Sequence, residues 1–239
     1  EIVKIVEDNG VKVVMIPGDI YDKSIPSLEA STLFDSFLTR LSKIGVKTLI
    51  TSGNHDSNER LAYGSKIFNE FNIHIVTKYE GFIDKIIIDD VCFYMLPFLK
   101  PFHIKNLMSE KEYENVNNSN EMMKWILDRE SIDKSKKNIL LCHQFVMWDG
   151  KLPEQSDSES ISLNNVGTID AIDVNLLDEF DYEFHNQKNI TWINSDKYVV
   201  YFITENSEKI GYLIIHKNAS IFVICFFFVY NCLCQQGRF

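Results

Sequence analysis

Basic side chains are scarce in this chain. Lys and Arg number 24 against 34 Asp and Glu, a formal charge of −10, and such a chain does not grip a polyanion unaided, because neutralising phosphates takes clustered cations. Any work on nucleic acid therefore needs bound cations, a local basic patch or a basic partner. Cysteine is sparse too, with five residues and no C-x-x-C pair. That odd set argues against a disulfide framework and fits a reducing cytoplasm, with Cys92 and Cys142 placed in apolar runs as buried free thiols. Long apolar runs are missing: residues 219–230 form a stretch of twelve, short of the roughly 20 that a membrane helix needs. It reads as a buried or aggregation-prone strand, with no role for a membrane. There is no initiating Met and no signal peptide, and residues 2–10 read as the second half of a helix closed by Gly10, so a preceding segment is expected.

What is present is enough for a sizeable core. The 239 residues, 45% apolar and 24% charged, suit one globular domain or a domain with an appendage. Residues 11–16 are a β-branched run ending at Pro17 and Gly18. Residues 27–44 carry a helical stripe at 30, 33, 34, 37, 38, 41 and 44, closed by Gly45, and residues 46–50 form the next strand. A right-handed crossover makes those two strands parallel. Helix is expected over 57–71, strand over 73–76, a hairpin over 82–98 with Asp89 and Asp90 at its turn, helix over 119–133, and a buried strand over 138–142. The polar insert 109–118 reads as a surface loop. Strands alternating with helices imply a layered α/β architecture with mixed sheets.

Two motifs stand at strand ends, Gly-Asp-Ile-Tyr-Asp at 18–22 and Gly-Asn-His-Asp at 53–56. Glycine lets the backbone turn sharply, and the Asp19 carboxylate behind it has two oxygens with which to bridge cations. Asn54 offers a neutral amide oxygen. His55 is a side-chain type suited to proton transfer, with Asp56 placed to orient its ring. His143 ends the strand over 138–142 on the same sheet edge, where ligands of such sheets bind. These donors suit hard or borderline divalent metals. His74 and His103 have no such setting. The aromatic stretch with Phe93, Tyr94 and Phe98 to Phe102 reads as core and rigid turn rather than a base-stacking platform, and Lys100 and Lys105 as solvated surface.

Together with Leu96-Pro97-Phe98 and Cys142-His143-Gln144, the two motifs occur in an order that resembles calcineurin-like metallophosphoesterases, and among them the SbcD nuclease family, over residues 1–182. The resemblance implies a layered metallophosphoesterase fold. It implies two divalent ions, usually Mn2+, with Asp19 bridging, Asn54 and His143 holding the second ion, and His55 acting catalytically at the phosphate or leaving group. It further implies DNA cleavage in repair and recombination, as a 3′ to 5′ double-strand exonuclease and hairpin endonuclease. The partner would be an SbcC-type ATPase, in a heterotetramer built on a dimer of the nuclease chain, in the cytoplasm.

Two departures from the family pattern qualify this. The family's Asp-x-His motif falls on a first strand upstream of Glu1, so residues 1–182 are read as a nuclease domain lacking that strand. After Tyr182 the family has Gly-His-x-His, whereas residues 183–187 read Glu-Phe-His-Asn-Gln; His185 stays unassigned. Residues 183–239 are read as a divergent tail, without a recognisable capping domain. Alternative readings are a catalytically dead fragment or pseudoenzyme, and a metallophosphoesterase acting on a small phosphodiester.

Overall fold

β-Branched side chains favour extended backbone, and Val13, Val14 and Ile16 lie in β1 (Val13–Pro17), all of whose residues are buried. Ahead of it, α1 (Ile2–Asp8) is followed by Gly10 in the left-handed region at φ 60°. The computed structural model describes residues 2–21, 23–147, 170–180, 182–184, 198–205, 208–216 and 221–226. Helix α2 (Leu28–Lys43) starts where the Ala30 N–H donates to the Ser27 hydroxyl at 3.1 Å, and it is followed by Gly45 at φ 77°. Glu29 sits in its first turn and Arg40 and Lys43 in its last, the signs the helix dipole favours. β2 (Lys47–Thr51) then runs parallel to β1, with Ile16 opposite Ile50. The strand, helix, strand unit is thus as expected from the apolar pattern.

Three elements differ from expectation. The helix over 57–71 is broken into α3 (Asn58–Leu61) and α4 (Ser65–Asn69), because Gly64 between them adopts φ 79°, a conformation glycine takes freely and a helix does not. The insert 109–118 is not all loop. Ser109 and Glu112 each bond the other's backbone N–H and so cap α5 (Glu110–Tyr113), a box the charged composition concealed. β3 (Ile73–Val76) pairs parallel with β2. The hairpin forms as expected, β4 (Asp84–Ile88) against β5 (Val91–Leu96), with Asp89 at φ 55° in the turn. Helix α6 (Ser119–Leu127) ends earlier than expected, at the Asp128 cap, and β6 (Lys137–Cys142) follows parallel to β5.

Further along come β7 (Val146–Met147), β8 (Ile172–Asp173), β9 (Tyr182–Phe184), β10 (Tyr198–Glu205), β11 (Glu208–His216) and β12 (Ile221–Phe226). Among the described residues the first sheet has the order β10-β11-β12-β1-β2-β3, the second β4-β5-β6-β9, and β7 pairs with β8. β12 lies parallel to β1, with Val13 opposite Ile221, so strands from the segment read as a divergent tail extend the same sheet. His185 and residues 227–230 of the apolar run lie outside the described residues.

Alternation along the strands sorts the core into layers. Val14, Ile16 and Ile50 pack with Val3, Val6, Leu38 and Leu41 under α1 and α2, while Tyr94, Leu96, Leu140 and Cys142 pack with Met122, Met123 and Ile126 under α6. The intervening residues Met15, Leu49, Phe93, Met95 and Leu141 are also fully buried. With β1 lying against β6 and β2 against β5, they fill the space between the sheets. Two stacked sheets with helices outside bring the carboxyl ends of β1, β2, β5 and β6 to one edge. Leu41, 0% exposed under α2, anchors this arrangement. Leu41→Ala is expected to lower unfolding free energy by roughly 2–5 kcal/mol, whereas Ile67→Ala, at a side chain 65% exposed, should change it by less than about 0.5 kcal/mol. Urea titrations of both variants measure the contrast.

Candidate metal centre

Three of the strands that end at this edge, β1, β2 and β6, each deliver one donor side chain. At the end of β1 the Gly18 N–H donates to the Ile16 carbonyl at 3.0 Å, and Gly18 and Asp19 follow each other in the left-handed region, at φ 80° and 52°. Aspartate tolerates that region better than most residues. The turn swings the Asp19 carboxylate back over the sheet edge, where one oxygen accepts the His55 backbone N–H at 3.1 Å. His143, buried at the end of β6, has its Nδ1 2.7 Å from the Pro17 carbonyl. That contact aims Nε2 at the other two donors, 2.9 Å from Asn54 Oδ1 and 3.2 Å from Asp19 Oδ2. Asp19, Asn54 and His143, far apart along the chain, therefore meet at one point.

Close backbone approach makes this meeting possible. A Cβ on Gly18 would lie 2.6 Å from His143 Nδ1 and 2.7 Å from Gly53 Cα, and one on Gly53 would run into the Asp19 carboxylate and backbone nitrogen. Both motif glycines are required by space.

A family description for calcineurin-like phosphoesterases matches residues 1–172. The chain belongs to that family. Among curated proteins it is similar to SbcD of the nuclease SbcCD from Staphylococcus epidermidis, 35% identical over 171 residues, covering 71% of this chain and 44% of that protein. It is also similar to SbcD of the nuclease SbcCD from Staphylococcus saprophyticus, 30% identical over 219 residues, covering 87% of this chain and 56% of the relative. The chain spans about half the length of the curated relatives it matches.

In this calcineurin-like phosphoesterase the electrostatics of the meeting point are cation-seeking. Burial alone would raise the Asp19 carboxyl, but the His143 charge and hydrogen bond, with His55 adding to them, hold it below the ordinary carboxylate range. Burial alone would lower His143, yet the Asp19 charge and hydrogen bond lift it to about 9. A proton on Nε2 thus does for the Asp19 and Asn54 oxygens what a bound cation would do. Asp56 has a role the motif did not suggest. Its carboxylate accepts the backbone N–H groups of Gly53, Tyr21 and Ile20 at 2.8, 3.1 and 3.2 Å, so it stitches the β1 and β2 loops together. Burial, and then the Asp19 charge, push Asp56 upward despite those three donors.

The ends of β5 and β6 are tied in by two side chains, Phe98 and Gln144, that the motifs contain but to which they assign no role. The Phe98 ring meets the His143 ring edge-on at 6.2 Å between centroids, and the Phe98 N–H donates to the Ser52 carbonyl at 2.9 Å. The buried Gln144 amide, oriented to bond both ways, spans the Leu99 N–H and carbonyl at 2.7 and 3.2 Å. Their signal in the sequence was adjacency to His143 and to Leu96-Pro97, which marks them as neighbours without giving a role. Among the described residues no group of three or more His, Cys, Asp or Glu side chains gathers as a metal site; the amide of Asn54 completes the donor set.

Gly53→Ala should displace the Asp19 carboxylate and cost roughly 1–3 kcal/mol in a urea titration. For the metal-free chain in EDTA, the folded pKa of His143 is raised, so the stabilisation it gives is complete below its ordinary value of 6.5 and is lost as pH rises through about 9. Asp19 has the opposite sense, giving stability that is lost as pH falls through its lowered value. Unfolding free energies across that alkaline window should fall in the parent chain and flatten in His143→Gln.

Proposed function

We propose that this chain is the nuclease portion of an SbcD-type, metal-dependent phosphodiesterase that acts on DNA. The supporting observation is the convergence of a carboxylate, an amide oxygen and an imidazole nitrogen within 3.2 Å of hydrogen-bonding reach at one strand edge. This donor set fits a divalent cation, and its hard oxygens with a borderline nitrogen suit Mn2+. In this reading Asp19, Asn54 and His143 are the side chains that would hold the divalent ions. Three side chains do not fill two coordination shells, so two-metal chemistry calls for donors beyond these. Bound cations of this kind activate water for in-line attack and offset the charge that builds on a scissile phosphate.

The protein's own groups do the rest. The Pro17 carbonyl holds the His143 ring so that Nε2 faces Asn54 and Asp19, and Asp56 keeps the two loops in register. His55, on the loop after β2, would steady the phosphate or deliver a proton to the leaving oxygen. Cations at Asp19 also answer the electrostatic problem of a chain with charge −10, since they supply the positive field that its Lys and Arg do not. Both relatives carry the name of a component of the nuclease SbcCD. That supports an SbcC-type ATPase as partner, which would hold DNA ends and pair with a dimer of the nuclease chain in a cytoplasmic repair and recombination complex. No helix among the described residues is long and apolar enough to cross a membrane.

Isothermal titration with Mn2+ tests the centre directly. The parent chain should bind, Asp19→Ala should lose measurable binding, and an unchanged affinity in that variant would refute the assignment. His55→Ala should bind Mn2+ as the parent does. In a chain of the relatives' full length with its ATPase, the same change should reduce Mn2+-dependent cleavage of end-labelled duplex by about 10²-fold or more, and equal rates would remove His55 from the reaction.

A further inference from the structure

Beside the donor cluster lies a cleft of about 390 Å3 that shares Gly53, Asn54 and Asp56 with it and is lined also by Phe98, Lys100 and Phe102. The volume is at the low end of the roughly 300–1,000 Å3 typical of small-molecule sites. Phe102 is the unexpected member. Its sequence setting points to the core or a rigid turn, yet the side chain is 61% exposed. Its position is held firmly. Pro101 opens the 3-10 turn Pro101–Leu107, Ile104 in the same turn is fully buried, and the Lys100 N–H donates to His103 Nδ1 at 3.0 Å. The His103 ring in turn braces the Phe102 ring, centroids 4.0 Å apart at 64°. At the inner end Phe98 packs on His143, and the Lys100 ammonium lies 6.0 Å from the Phe98 centroid.

An exposed aromatic ring, a Lys side chain and the metal donor Asn54 thus line one cleft. We infer that Phe102 and Lys100 are substrate-positioning residues, the Phe102 ring stacking the base of the nucleoside next to the scissile phosphate and Lys100 facing that phosphate. The inference rests on the proposed function and adds to it the residues that hold the base. The physical reason is that every base has a π-face, so stacking on one phenyl ring holds nucleotides without selecting among them. Within the same lining Lys100 and Asn54 offer the charged group a cation and an amide, and Phe102 offers the uncharged base a π-face.

Equilibrium binding separates this inference from the reading beneath it. The full chain with saturating Mn2+ is titrated with thymidine 5′-monophosphate and with 2-deoxyribose 5-phosphate, which lacks only the base. The parent should prefer the nucleotide by about fivefold or more, the range expected for one stacked base. Phe102→Ala should erase that preference while Mn2+ affinity and sugar-phosphate affinity stay as in the parent, and Phe102→Tyr should retain it. Equal affinity for the two ligands in the parent, or an undiminished preference in Phe102→Ala, overturns the inference and leaves the metal centre standing. If neither Mn2+ nor either phosphate binds, the metal centre falls and the nucleotide site with it.

Discussion

The contact between the Gly18 and Gly53 backbones is the constraint on which the rest of the site depends. A methyl group on Gly18 would lie 2.7 Å from Gly53 Cα, so the loops after β1 and β2 press together with no side chain between them. Only at that distance does the Asp19 carboxylate reach the His55 backbone N–H, and only then does Asp56 bond amides of both loops. The parallel pairing of β1 with β2 sets the loops side by side, and the stacking of the second sheet beneath them brings in His143 from β6. Glycine, strand direction and sheet stacking each contribute a step that the others cannot supply.

That packing concentrates negative charge. Asp19 and Asp56 lie close enough that the charge of one raises the pKa of the other, and the His143 proton offsets the first of them. Desolvated carboxylates are costly without a compensating cation or donor. Asp56 is answered by three fixed backbone N–H groups and Asp19 by an exchangeable proton, so the second is the position suited to a metal ion. The acidic chain as a whole and the cation-seeking cluster are therefore compatible with a phosphate substrate, because the attraction comes from bound ions rather than from a basic face.

Much of this was legible beforehand. Alternation and β-branching gave β1, β2, β3 and the β4-β5 hairpin, and the period of the apolar stripe, with Ser27 and Gly45 at its ends, gave α2. The two glycine-led motifs marked the donors because each stood just past a strand. Local competition hid other features. Gly64 split one apparent helix, and the Ser109–Glu112 box built a turn of helix inside a stretch whose charge suggested loop. Asp56 appeared suited to the ring of its neighbour His55. In the fold its carboxylate accepts the Gly53 N–H three residues back and also those of Ile20 and Tyr21, more than thirty positions earlier, and the second relation has no local signature. Phe102 looked like core because apolar identity carries no information about which side of a turn a ring falls on.

By itself the sequence determined the order of the strands from β1 to β6 and of the longer helices between them, the residue types available as metal donors and their position at strand ends, because periodicity, turn propensity and donor chemistry are properties of neighbouring residues. Tertiary structure alone decided that Asp19, Asn54 and His143 share one point, that Asp56 serves the backbone and that Phe102 faces a cleft. Those outcomes depend on how two sheets stack and how closely two glycine loops approach, distances set by contacts between residues remote along the chain.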